Sequence, residues 1–112
     1  MTKIIFNFFL ILLLVGCSSE PADFKGYVLS IDQKNNKLLV VSGISKDEVL
    51  EVEKIDIETL DRLKEAYWLS GENSREFKKG DYVEVWFRGD IATSFPALAE
   101  AKRIKIAKEP QD

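Results

Sequence analysis

The chemistry open to this chain is bounded by what it lacks: 112 residues hold no His and a single Cys, Cys17. Ser-His and Cys-His nucleophilic catalysis, His-ligated zinc and His acid-base chemistry are all excluded. Ser94 has no imidazole to activate it. Lys102 in that role would need a desolvation that the sequence around it does not signal, so serine hydrolysis is disfavoured. Asp47, Glu48, Glu51, Glu53, Asp56 and Glu58 form an acidic series of the kind that serves calcium. No Asp-x-Asp-x-Asp-Gly loop is present, and the interspersed Lys46 and Lys54 suit an ordinary solvated face, so no metal is expected. Glu84 and Asp90 are a nominal carboxylate pair for glycoside hydrolysis, a mechanism that requires a separation of about 5 to 9.5 Å. The expectation is a non-enzymatic protein without a cofactor.

Binding chemistry is better represented. Tyr82 and Trp86 share one face of a strand with Glu84 and Arg88, and aromatics beside charges on a barrel strand can stack sugars, peptides or bases. The same residues more commonly pack beneath a neighbouring element. Trp68 has the same two readings, and it would join Trp86 in one platform only if their strands were neighbours. Ser94-Phe95-Pro96-Ala97, with Asp90 just before it, is a candidate recognition loop. The competing structural reading has Phe95 plugging a barrel end, Pro96 setting the turn and Ser94 bonding locally. The candidate binding residues are therefore Trp68, Tyr82, Trp86, Arg88, Asp90, Ser94, Phe95 and Pro96.

Strands must position these side chains. Gly26 to Ile31 alternates, with Tyr27, Leu29 and Ile31 on one side, and Lys37 to Val41 resumes as a second strand after the turn formers Asp32 to Asn36. A hairpin joins them, since Asn35 and Asn36 tolerate the positive φ of tight turns. Ser45-Lys46-Asp47-Glu48 is a capping box that starts a helix. Val49 to Ile57 fits a helix or an exposed strand equally. Ile57, Leu60, Leu63 and Tyr67 recur at helical spacing and predict a surface helix over Glu58 to Glu65. Ala66 to Ser70 reads as a strand, and Tyr82 to Arg88 is the clearest one, with Val83, Val85 and Phe87 toward the core. Gly89 to Ala97 reads as a loop and Ala101 to Ala107 as the last strand.

The N-terminus reads as a targeting segment. Lys3 precedes an apolar run from Ile4 to Val15 broken only by Asn7, which is too short to span a bilayer and matches a secretory signal. Leu14-Val15-Gly16-Cys17 resembles the lipobox of bacterial lipoproteins, in which the Cys sulfur takes a diacylglyceryl group. That resemblance implies a signal peptide at residues 1–16, an acylated Cys17 and an extracytoplasmic protein on the outer face of the cell membrane. Two acyl chains suffice for stable anchoring. A mature chain would carry 15 basic and 19 acidic side chains, with the acidity concentrated before Phe77. Such a domain is expected to stand off from anionic lipid and wall polymer, and nucleic acid is not expected as a ligand. Residues 18–23 then form a tether, 24–108 one domain and 109–112 a tail.

Gly26-Tyr27-Val28, Leu39 to Ser45, Tyr67-Trp68, Phe77-Lys78-Lys79-Gly80-Asp81 running into Tyr82 to Phe87, Gly89-Asp90-Ile91, and Ser94 to Ala97 with Glu100 to Ile104 together resemble the YobA-like lipoproteins of Bacillus-type bacteria. The resemblance spans nearly all of the mature domain and implies a secreted, anchored, mostly β domain of unknown function, with no catalytic residues to carry over. Independently, the order of strands fits a small five-stranded barrel of the oligonucleotide/oligosaccharide-binding (OB) type with one or two short helices in its central connection. An open α+β sheet is the alternative. The functional expectation is an envelope module that binds a peptide, protein or wall-glycan ligand. The alternative is a structural or stress-related surface lipoprotein that acts by assembly with a membrane protein.

Overall fold

A computed structural model describes residues 20–110. The signal segment and Cys17 lie outside the described residues. The chain forms β1 (Phe24–Asp32), β2 (Lys37–Ser42), two short helices α1 (Lys46–Glu51) and α2 (Ile57–Asp61), β3 (Glu65–Ser70), a 3-10 turn at Ser74–Glu76, β4 (Tyr82–Ala92) and β5 (Ala97–Ile106). The strands close into a barrel in the order β1-β2-β3-β5-β4. Only the β3–β5 pair is parallel among the strand pairs described. This is the OB-type barrel expected from the sequence, and no open sheet is needed.

Closure sorts the apolar side chains into two layers. Phe24, Val28, Leu38, Val40, Leu69, Val83, Val85 and Ile104 fill the interior together with Ala99 and Ala101. The small alanines of β5 leave room for the rings of Phe24, Tyr67 and Phe87: Phe24 and Tyr67 pack edge to face at a centroid separation of 4.7 Å, and Tyr67 and Phe87 at a tilt at 5.0 Å. Gly26 lies where β1 passes so close to β2 that a β-carbon would collide with the Val41 carbonyl. The second layer lies outside the barrel, where Leu29, Leu39, Val41, Ala66 and Trp68 meet Val49, Leu60, Leu63, Val52 and Ile55 from the connection between β2 and β3. An OB barrel commonly presents its β2–β3 face to ligand. Here that face is filled by the chain's own helices.

Local chemistry explains the helices. Ser45 accepts from the Glu48 amide while Glu48 accepts from the Ser45 amide, the expected capping box. Asp56 caps α2 through the Thr59 amide at 2.9 Å. The connection between them, open to either reading in the sequence, is helical to Glu51 and irregular beyond.

Several expected boundaries are corrected. A bulge at Leu29, between Val28 and Ser30, leaves Tyr27 and Leu29 outside and turns Ile31 into the barrel, so the three do not share a face. The surface helix spans Ile57–Asp61 rather than Glu58 to Glu65, because Glu65 pairs with Ser42 and opens β3. Tyr67, counted at helical spacing, is a strand residue inside the barrel. The Gly89 to Ala97 loop shrinks to residues 93–96, since β4 continues to Ala92 and β5 begins at Ala97 rather than Ala101. Small and polar residues hid this pairing: β5 turns only the small Ala97 and Ala99 inward, with Leu98 and Glu100 outward, and β4 beyond Arg88 is mostly exposed.

Candidate functional site

The β4–β5 hairpin carries the loop singled out in the sequence. Gly89, at φ +72°, kinks β4 beyond Arg88. Arg88 crosses to Glu100 on β5, with Nε 3.1 Å from the carboxylate. At the tip, the Ser94 amide donates to the Ala92 carbonyl at 3.0 Å and its hydroxyl to the Pro96 carbonyl at 2.9 Å. Ser94 is thus a turn-forming hydroxyl, and the Phe95–Pro96 peptide is cis. Phe95 does not plug the barrel; about half of it (52%) is in water, as is half of Leu98 (50%).

Parallel pairing of β5 with β3 sets Ala97 opposite Tyr67 and Leu98 opposite Trp68. This brings the hairpin tip over the start of β3 and forms a cleft of about 140 Å³ lined by Lys64, Glu65, Tyr67, Ser94, Phe95 and Ala97. The Tyr67 hydroxyl donates to the Glu65 carboxylate at 3.1 Å. Burial, then the Glu65 contact, raises the phenol pKa above its ordinary value. At neutral pH it is a hydrogen-bonding group, not a base. The cleft thus joins an ammonium, a carboxylate, a phenol and an exposed ring, a set suited to holding a ligand.

The other candidates disperse. Trp68 lies on the outer face, half buried under the β2–β3 connection. Trp86 also points outward, as the strand alternation predicts, yet only 7% of it is exposed. The Arg103 guanidinium stacks 4.2 Å from its ring centroid, and its indole N–H donates to the Glu20 carbonyl at 3.2 Å. Because β5 runs between β3 and β4, the two tryptophans form no common platform. Tyr82 packs against Tyr27 at 5.0 Å. Glu84 pairs with Lys25 at 3.7 Å, and six residues of strand, roughly 20 Å, separate it from the exposed Asp90. That spacing is too long for a carboxylate dyad. Among the described residues, no group of three or more His, Cys, Asp or Glu side chains is placed to hold a metal ion.

Sequence reasoning did not place Lys64, Glu65, Tyr67, Leu98 or Arg103 at a site, and weighed Lys102 only as a base for Ser94. One signal was available: Ala101 and Ile104 are apolar three residues apart, a spacing that in a period-two strand requires a bulge between them. The structure has that bulge, and it turns Lys102 and Arg103 outward together.

Residues 25–108 match the model of a family described as a protein of unknown function, DUF3221. The NMR solution structure of Bacillus subtilis YobA, residues 21–120, matches with a TM-score of 0.54 at 17% identity, covering 80% of this chain and 83% of that one. At that identity the likeness speaks for the fold. No curated protein matches the chain.

Proposed function

The chain belongs to the DUF3221 family of proteins of unknown function, and from that premise we propose that it is a lipid-anchored extracytoplasmic module that binds a peptide or protein segment at the tip of its β4–β5 hairpin. The observation that carries the reading is Phe95, half exposed on a hydrogen-bonded turn directly beside the Tyr67 cleft. A lone exposed hydrophobe is ordinary. Here the ring stands on a paired hairpin, with Leu98 exposed three residues on and polar groups within the cleft, the composition of an interface anchor with a polar surround. The lipobox at Leu14 to Cys17 supports the anchoring half of the proposal.

Photo-crosslinking from a benzoylphenylalanine placed at position 95 in intact cells tests the binding half. A discrete protein adduct, absent when the probe is placed at the exposed Lys34 instead, supports it. Adducts to glycan alone, or no adduct from a folded protein, overturn it. Mass analysis of Cys17, with membrane fractionation of Cys17→Ala, tests the anchor separately.

A further inference from the structure

We propose that the outer face of β4 and β5 around Lys102, Arg103 and Lys105 lies against the anionic phospholipid surface to which Cys17 is attached. This deepens the anchoring reading and rests on it. The tether is held to the barrel at its start: the Asp23 amide donates to the Val85 carbonyl at 2.9 Å, and the Asp23 carboxylate accepts from the Phe87 amide at 2.9 Å. Trp86 holds the Glu20 carbonyl, and Lys102 sits 3.5 Å from the Glu20 carboxylate. Glu20 is therefore fixed over β4, and Cys17 follows only three residues away in sequence. Fully extended, three residues span about 11 Å. That reach is comparable to the Debye length of about 8 Å at physiological ionic strength, so the charges beside Glu20 feel the lipid surface.

Those charges are basic because of one bulge. Where Trp86 pairs with Arg103 and Phe87 with Ala101, the extra residue turns both Lys102 and Arg103 into solvent, with Lys105 exposed beyond them. Of the carboxylates near this face, Glu84 is matched by Lys25, Glu100 by Arg88 and Glu20 by Lys102, while those of Asp23 and Glu72 accept from the Phe87 and Ile104 amides. Among the described residues, Arg103 and Lys105 form no ion pair. The acidic run Asp47 to Asp61 lies on the connection over the β1-β2-β3 face, on the other side of the barrel. An acidic protein can thus approach anionic lipid with a side on which charge is balanced and on which Arg103 and Lys105 lack ion-pair partners, while its acidic connection points away. Each basic residue near such a surface is worth about fivefold in attraction.

The two tryptophans report the two faces. The mature chain is coupled through its Cys17 thiol to a maleimide phospholipid in vesicles containing phosphatidylglycerol and a headgroup nitroxide lipid. Coupling this way tests orientation whether or not cells acylate Cys17. Trp68→Phe leaves Trp86 as the sole indole with its Glu20 hydrogen bond intact, and the difference between the parent chain and this variant gives Trp68. The expected result is quenching of Trp86 about threefold stronger than of Trp68, lost when Arg103 and Lys105 are both changed to Glu or when salt shortens the screening length to about 3 Å. Equal quenching of both indoles, or a difference that survives charge reversal, overturns the proposal.

Discussion

The indole N–H of Trp86 lies 3.2 Å from the carbonyl oxygen of Glu20, 66 positions earlier in the chain. A residue with the sequence signature of a ligand platform is thereby the clasp of the tether. Trp86→Phe keeps a ring under Arg103 and removes one hydrogen bond, so it should cost about 1 kcal/mol in denaturant unfolding. Trp86→Ala removes the buried ring as well and should cost about 3 kcal/mol or more. Amide exchange at residues 20–23 should accelerate in both variants, ahead of any change in the barrel strands.

Phe95→Ala is expected to behave in the opposite way. Half of the ring is already hydrated, and the turn's hydrogen bonds come from Ser94. Unfolding free energy should therefore stay within about 0.5 kcal/mol of the parent, while capture of an envelope partner falls at least about tenfold, as truncation of an interface anchor would cause. A large loss of stability would instead place the ring in the core.

Acid should loosen the turn and the helix starts. The Asn35 amide groups hold the Asp32 carboxyl below its ordinary pKa of 3.8. The Ser45 amide and Arg62 lower that of Glu48, and the Thr59 amide and hydroxyl lower that of Asp56. The unfolded chain therefore binds more protons in this range, so stability rises with pH. These contributions are complete above the ordinary values of 3.8 and 4.5 and are lost as pH falls through the lowered ones. Asp56→Asn keeps a capping oxygen, so it should leave neutral stability nearly unchanged and make the acid slope shallower in unfolding curves from pH 5 to pH 2.

Tyr67 should give the reverse dependence at alkaline pH. Burial raises its phenol above the ordinary 10.0, so the folded chain retains a proton that the unfolded chain releases. Stability is intact below pH 10.0 and declines as pH rises toward the raised value. In an absorbance titration, the step removed by Tyr67→Phe should lie above pH 10.0; a step at or below it would mean that the mouth is wetter than the cleft geometry implies.

How legible these features were depended on whether a local rule governed them. The Ser45 capping box, the Asn36 turn with φ +54° and the inward alternation of Val83, Val85 and Phe87 follow from short-range chemistry and were readable. Leu38 to Val41 is apolar on both faces because one side meets the barrel and the other the α1–α2 connection. The bulges at Leu29 and Lys102 changed which side chains face outward, and no propensity marks them directly. Trp86 shows the larger difficulty: its alternation was right, but its cover comes from Glu20 and Arg103, which are distant in sequence. The Tyr67 cleft was illegible for the same reason, since it exists only once β5 lies parallel to β3.

The pairing of Phe24 with Val85 closes the barrel between strands 61 residues apart, and that sets an order of events in folding. A chain emerging N-terminus first can form the β1–β2 hairpin and cover it with α1 and α2, but Phe24 and Val28 have no complete interior to enter until β4 and β5 arrive. Non-local closure of this kind makes folding slow relative to helical domains of the same size. Until it occurs, β1 carries a free, apolar edge able to pair with another chain. Nascent or C-terminally truncated forms ending before Val85 should therefore self-associate rather than persist as monomers, and in the finished molecule the β4–β5 hairpin is what covers that edge.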